Sequence, residues 1–544
     1  MLSSYEIDCR DHRINVPARF NPVVHILESW AAEQANATAL ISIGLSGEFD
    51  RAHTIAELAA ESRRMARALL TLGVKKGDRV LIVMSRVPAW YTAVLGVMRI
   101  GAVAIPTPTM STARDIAYRV NTARPVAIVA DEAAATKLTG LRAELKSVVH
   151  AIEWSTRGSE RPGWLDLTTL LNQAGDGTVP ADPTSCDDPL VIFFTSGTVS
   201  HPKMVLHPQS YALGHVGTAR YWHNVGLGDR HWTLSDAGWA KAAWGSLFGQ
   251  WHERATVVQV NLAKPDARGI LSIIPKHGIT SFCAPPTVYR LLVQEDLRSF
   301  DLTSLRQCTS AGEPLNPEVI RIWRDGTGLT VRDGYGQSET TALVANTRNL
   351  PVRPGSMGRT MPGYEIHIVN DAGERLPEGE TGNIAVHTNP RPLGLFLEYL
   401  DHPEQTQGAF RNGYYYTGDR GSQDAQGYFW FESRVDDVIT SSAYRIGPFE
   451  VESALLEHPA VVEAAVVGKK DAARTEIVCA FIVLAKGFIG SETLTEELQQ
   501  HVKRVTAPYK YPREIHFTSE LPKTISGKIR RSELRRLLHD GCSS

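Results

Sequence analysis

Five short runs of this 544-residue chain place oxygen acceptors, glycines and lysines at spacings that suit phosphate chemistry. The first is Thr195-Ser196-Gly197-Thr198, continued by Val199-Ser200-His201 and closed by Pro202-Lys203. Such a loop offers backbone N–H groups, the hydroxyls of Thr195, Ser196 and Thr198, and the Lys203 ammonium to a polyanion, which is the chemistry of a phosphate cradle. Its order is not that of a Walker A loop. The second run is Tyr335-Gly336-Gln337-Ser338-Glu339-Thr340. There a carboxylate suited to a hard cation such as Mg²⁺ stands next to a hydroxyl that donates to phosphate oxygen. In the third, Tyr416-Thr417-Gly418-Asp419, an ionised carboxylate is a suitable double acceptor for a vicinal diol. The fourth joins Ser433-Arg434-Val435-Asp436-Asp437 to Ala443-Tyr444-Arg445-Ile446-Gly447. In the fifth, Pro522-Lys523-Thr524-Ile525-Ser526-Gly527-Lys528, a Ser-Gly pair makes a tight turn from which Lys528 projects. Taken singly, each also reads as an ordinary turn or a solvated charge.

These groups need a rigid frame. The apolar run 190–194 reads as a buried strand that empties into the first loop. Residues 77–84 read as a turn and a strand, 88–101 as a helix with proline in its first turn, and 102–105 as a strand stopped by Pro106. Further short strands are expected at 125–130, 255–260, 280–284 and 330–332, between helical patterns. Alternation of this kind predicts an α/β architecture with parallel sheets. After about residue 355, glycines punctuate short strands, as in a small β-rich subdomain. A second region with both helix (448–457) and strand (461–467) starts near Asp437.

The net charge of 57 − 59 = −2 supplies no global field for nucleic acid or an acidic membrane. Cysteines at 9, 186, 283, 308, 479 and 542 form no C-x-x-C pair, which argues against a disulfide framework or zinc site. No secretory pattern opens the sequence, and the most apolar window is interrupted by Arg86 and Arg99, so no membrane span is expected. A cytoplasmic location is the expectation. Oligomeric state is not readable.

Together, in this order, the five runs resemble the motifs of the adenylate-forming superfamily: acyl-CoA synthetases, peptide-synthetase adenylation domains and luciferases. The likeness extends from about residue 20 to 538. The segment 233–249, with its Ser235-Asp236-Ala237-Gly238-Trp239 core, and Ser310-Ala311-Gly312-Glu313-Pro314-Leu315 look like the medium-chain acyl-CoA synthetase branch. The resemblance implies an ATP- and Mg²⁺-dependent ligase joining a carboxylic acid to CoA through an acyl adenylate. The acid would be medium-chain, short branched or aromatic. It implies a large adenylation domain over 1–434, with the β-rich subdomain at about 355–434, and a mobile α+β domain over 435–544. Thr195, Ser196, Gly197, Thr198 and Lys203 would hold the β- and γ-phosphates. Gly312, Glu313 and Pro314 would pack on adenine, and the run Asp333, Gly334, Tyr335, Gly336, Gln337, Ser338 would line the nucleotide. Glu339 would hold Mg²⁺ and Thr340 the α-phosphate. Asp419 and Arg434 would fix ribose, Asp436 would be the hinge, and Lys528 would bridge the reactants. Trp239, Tyr335 and Gly336 would face the acyl group; Ala443, Tyr444, Arg445 and Lys510 would face CoA.

Two departures stand out. Val199-Ser200 replaces the usual Thr-Gly, and Ala443 replaces the glycine over which pantetheine passes. An adenylating enzyme that hands its acyl group to a carrier protein or an amine is therefore an alternative, as is a nucleotide-binding sensor without catalysis.

Overall fold

The computed structural model describes residues 3–44, 49–177, 179, 184–195, 202–262, 266–441, 444–471, 474–524 and 528–540. Two large sheets carry most of the N-terminal part. In the first, the strands Val103–Pro106, Arg79–Val83, Ala127–Asp131, His150–Trp154 and Leu165–Asp166 run parallel. Pro189–Phe194 joins them in the same direction beside Val103–Pro106. Met204–Pro208 and then Glu398–Leu400 extend the edge antiparallel.

In the second sheet Arg332–Gly336, Gln307–Ala311, Ser281–Ala284, Arg230–Thr233, Thr256–Val260 and Thr38–Ile43 are parallel neighbours. Antiparallel strands close both edges. The inner strands are largely buried on both faces, as parallel sheets require, with Val, Ile, Leu and Ala filling Arg79–Val83, Val103–Pro106 and Ala127–Asp131. Helix Pro88–Arg99 packs on the first sheet, and helix Ile55–Thr71 packs on that helix and beside Thr38–Ile43 of the second sheet. A Cβ on Gly96 would lie 2.3 Å from the Met65 side chain, so glycine sets their approach.

The glycine-punctuated region folds as expected into an antiparallel sheet of Ile366–Val369, Gly382–His387, Tyr414–Gln423, Phe410–Arg411 and Phe429–Arg434. Beyond it a fourth sheet combines Ile439–Ser441, Tyr444–Ile446, Val461–Asp471, Thr475–Leu484 and Glu514–Phe517 with helices Pro448–Leu456 and Glu492–Val505. It has its own apolar core. No helix among the described residues is long and apolar enough to cross a membrane.

Two expectations shift. Pro106 belongs to its strand, where it is the last residue and stands opposite Ile82. The strand expected at 330–332 instead runs Arg332–Gly336. The Asp333–Gly336 segment is thus held in a ladder between Gln307–Ala311 and Ala342–Ala345, with Glu339 and Thr340 in the turn after it.

Candidate active site

The sequence-predicted groups converge where parallel strands end, the place open α/β sheets reserve for ligands. Thr195 follows Pro189–Phe194, Gly312 follows Gln307–Ala311, and Tyr335 and Gly336 end Arg332–Gly336. A cavity of about 380 Å³ is lined by Thr195, Lys203, Gly312, Glu313, Tyr335, Glu339, Asp419, Arg434, Asp436 and Lys528, among others. Pro314, Asp333, Gly334, Gly336, Gln337 and Ser338 also line it. Thr340, fully buried behind Glu339, does not.

The two residues that flank the expected phosphate loop pair with each other. Thr195 N–H donates to the Lys203 carbonyl at 3.0 Å, and Lys203 N–H donates back to Thr195 Oγ1 at 3.0 Å. Ser196, Gly197, Thr198 and the departures at Val199 and Ser200 lie outside the described residues, as does Ala443. The Lys203 ammonium stands 5.0 Å over the ring of Tyr399, whose hydroxyl donates to Glu339 Oε1 at 2.9 Å. Glu339 is surrounded by protein, and burial pushes its carboxyl upward, with the Tyr399 hydrogen bond opposing.

Asp419 and Arg434 face each other across the Tyr414–Gln423 and Phe429–Arg434 strands. Asp419 Oδ2 accepts from the Tyr335 hydroxyl at 2.6 Å and from Gln337 Nε2 at 2.6 Å. Arg434 Nε lies 3.8 Å from the other oxygen. Burial raises the Asp419 carboxyl, and Arg434 counters it. One oxygen is thus held by protein donors, and the other faces the cavity wall of Arg434.

Glycine is required at position 312: its φ of 118° lets the chain leave the strand toward Glu313. Glu313 is fixed by Arg290 at 2.7 Å. Asp333 is buried and accepts from the backbone N–H groups of Leu315 and Gly334; desolvation pushes its carboxyl up to about 7.

Lys528 enters the same cavity from the C-terminal part. Thr524 N–H donates to the Lys528 carbonyl at 2.7 Å, and Lys528 N–H donates to Thr524 Oγ1 at 3.1 Å. Its side chain keeps exposed surface, and that surface faces the cavity it lines, ringed by protein. Desolvation and the Arg434 charge lower its ammonium, against Asp419, Glu313 and Glu339, which raise it. Asp436 sits in the short turn Val435–Asp437, and its neighbour Asp437 pairs with Arg535 at 2.7 Å.

The remaining candidates lie elsewhere. Tyr444 stacks on Tyr509 with centroids 4.0 Å apart, and the adjacent Lys510 pairs with Glu450 at 2.5 Å. Neither Tyr444 nor Lys510 lines the cavity. The Arg445 side chain lies outside what is described. Trp239 stands at the start of helix Ala240–Ser246 and borders a separate small apolar void with Phe193 and Phe248.

Sequence reasoning missed Tyr399 and Arg290, which carry no motif, and the two indoles behind the Tyr335 strand. A Cβ on Gly334 would lie 2.6 Å from Trp222, and one on Gly336 would lie 2.5 Å from Trp244 and 2.4 Å from the Thr341 carbonyl. Gly336→Ala is therefore expected to destabilise the fold by about 1–3 kcal/mol through overpacking. Urea unfolding measures this; an unchanged midpoint would show that the indole yields freely.

Comparison with known proteins agrees with this geometry. Residues 27–400 match the AMP-binding enzyme family, and residues 450–528 match the AMP-binding enzyme C-terminal domain. The mitochondrial acyl-coenzyme A synthetase ACSM3 of Mus musculus is 41% identical, covering 98% of this chain and 93% of that protein. The mitochondrial acyl-coenzyme A synthetase ACSM5 of Homo sapiens is 47% identical over 88% of this chain and 83% of its own. Among solved structures, the anthranilate CoA ligase AuaEII in complex with anthranoyl-AMP superposes with a TM-score of 0.89 at 30% identity, covering 97% of this chain and 99% of that one. An acyl-CoA synthetase of Brucella canis matches with a TM-score of 0.76 at 34% identity over 100% of both chains.

One expectation is overturned by these relatives. The cytoplasmic placement does not stand, because the curated relatives are named mitochondrial, and unpaired cysteines with no secretory pattern do not separate the two compartments. Matched along both of its parts, the chain belongs to the AMP-binding enzyme family, among its acyl-coenzyme A synthetases.

Proposed function

We propose that this protein is an AMP-forming acid–CoA ligase acting on a medium-chain, short branched or aromatic carboxylic acid. The observation that carries the reading is the convergence of Lys203, Glu339, Asp419, Arg434 and Lys528 on one cavity. In the first half-reaction a carboxylate oxygen of the acid attacks the α-phosphorus of ATP, and the bond to pyrophosphate breaks. Positioning and charge stabilisation dominate such a step. Lys203 and the loop it closes hold the outer phosphates, Gly312 to Pro314 border adenine, and Asp419 with Arg434 holds ribose. Lys528 offsets the charge of two anions brought together. In the second half-reaction the CoA thiolate attacks the acyl carbonyl and AMP leaves.

The residues present fit a magnesium ion. Glu339 is a half-buried carboxylate near Lys203, with one oxygen engaged by Tyr399, and the cost of desolvating its charge is what a hard cation would relieve. When bound, the ion neutralises phosphate charge. Domain limits of 1–434 and 435–544, with Asp436 as the pivot, belong to the same proposal. They agree with a turn at Val435–Asp437 between two separate sheets.

The test is the wild-type protein with ATP, Mg²⁺, CoA and a panel of acids, read by AMP release and by acyl-CoA formation. Both should appear with at least one acid class. Pyrophosphate exchange with no acyl-CoA would favour transfer to a carrier protein or amine. No exchange with any acid would overturn the enzyme reading.

A further inference from the structure

His207 takes no part in the mechanism above. It lies fully buried on strand Met204–Pro208, which begins at the residue after Lys203 and pairs antiparallel with Glu398–Leu400. Val205 stands opposite Tyr399 in that pairing, and His207, two residues on, projects from the same face as Val205. There His207 Nε2 meets the Ser338 carbonyl at 2.7 Å. Packing fixes the ring, which lies against Tyr211 with centroids 3.8 Å apart and meets Phe193 edge-on at 5.9 Å. A carbonyl only accepts, so Nε2 carries the proton, while Nδ1 has no hydrogen bond. Burial pushes the imidazole down to about 3, which keeps this tautomer neutral near pH 7.

The Ser338 carbonyl belongs to the peptide that leads into Glu339. On the other side, the Glu339 carbonyl accepts from Phe396 N–H at 2.9 Å, and the Thr340 carbonyl accepts from Trp244 Nε1 at 3.2 Å. Both peptide groups flanking Glu339 are thus held by donors, one of them an imidazole. The Glu339 carboxyl, which lines the cavity, is held by Tyr399. One strand therefore links three parts of the site. Lys203 precedes it, His207 holds the Ser338 carbonyl, and Tyr399 stands across from Val205 with its hydroxyl on Glu339.

We propose that His207 is a positioning residue whose Nε2–H fixes the Ser338–Glu339 peptide and so aims the Glu339 carboxylate into the cavity. The inference rests on the reading of Glu339 as the magnesium carboxylate and adds to it the group that orients its backbone. Losing a group that orients a metal ligand typically costs about 10- to 100-fold in metal affinity.

Three substitutions test it. Glutamine carries its amide nitrogen as many bonds from Cα as Nε2 is, asparagine as many as Nδ1, and leucine carries no donor. Calorimetric titration with ATP over a series of Mg²⁺ concentrations reads the metal without turnover. The Mg²⁺ concentration that gives half of the gain in ATP affinity should rise about tenfold in His207→Leu and His207→Asn. In His207→Gln it should return to within about threefold of wild type. A ring that serves packing alone would lower the melting temperature in all three and leave the Mg²⁺ midpoint untouched, which overturns the proposal. Equal shifts in His207→Gln and His207→Asn also overturn it, and this pair decides the matter should His207→Leu fail to fold.

In a Glu339→Gln background, His207→Asn should add less than about twofold, because both changes act through one carboxylate. Additive effects would place the action of the histidine elsewhere and overturn the proposal. A wild type whose ATP affinity ignores Mg²⁺ would count against the metal reading of Glu339. Pyrophosphate exchange by the two single variants and the double variant would then decide the His207 inference through the same non-additivity.

Discussion

Lys528→Ala is expected to lower adenylation by about 10²- to 10³-fold while leaving the fold intact. The lysine brings a positive charge to a cavity that already holds Asp419, Glu313 and Glu339. ATP and a carboxylate are both anions, and on the proposed reading this ammonium stabilises the charge that develops between them as pyrophosphate leaves. The side chain projects from a surface turn and supports no core, so removing it should not disturb stability. Pyrophosphate exchange measures the loss. Preformed acyl adenylate supplied with CoA should still give thioester at a rate within about twofold of wild type, because the proposal assigns the lysine to the first half-reaction only. An equal loss in both half-reactions would reject the division of labour between Lys528 and the second step.

Glu339→Gln is expected to cost a similar factor by a different route. The amide keeps the size of the side chain and can still accept from the Tyr399 hydroxyl at its oxygen, so packing survives. It loses the charge that suits a hard cation. Wild-type exchange should vanish with EDTA and return on adding Mg²⁺. In the variant, half-maximal Mg²⁺ should rise by at least about tenfold, with a much lower plateau. An unchanged Mg²⁺ titration would remove Glu339 from the metal site and leave it as a partner of Tyr399 only.

Thr195, Lys203, Glu339, Asp419, Arg434 and Lys528 were legible in the sequence because each stands in a short run of turn residues whose order is unusual. The strands that carry them were legible from apolar runs, to within a few residues. Tyr399 was not: it lies on a three-residue edge strand, and only the antiparallel pairing of that strand with Met204–Pro208 brings its hydroxyl to Glu339. Arg290 is likewise an ordinary helical arginine until the fold sets Glu313 beside it. The two glycines before and after Tyr335 are expected from the sequence to line the nucleotide; in the structure Gly336 and Gly334 lie in a strand and give room to Trp244 and Trp222. In each case the missing information is a long-range contact, which no local pattern encodes. The slide of the 330–332 strand to Arg332–Gly336 has the same origin, since pairing partners on both sides fix where that strand begins.

The rung that joins Asp419 to Arg434 lies immediately before the turn Val435–Asp437. The far side of that turn is tied to the C-terminal helix through Asp437 and Arg535, at 2.7 Å. With Asp436 as the proposed pivot, the clamp would abut the fulcrum, and Lys528 would ride at the end of the lever. A swing about Asp436 would then carry the lysine through a long arc while the ribose seat stays at rest. The intermediate would wait in an undisturbed saddle between the two halves of the reaction. Its chance of escaping to water would be confined to the interval of the swing itself.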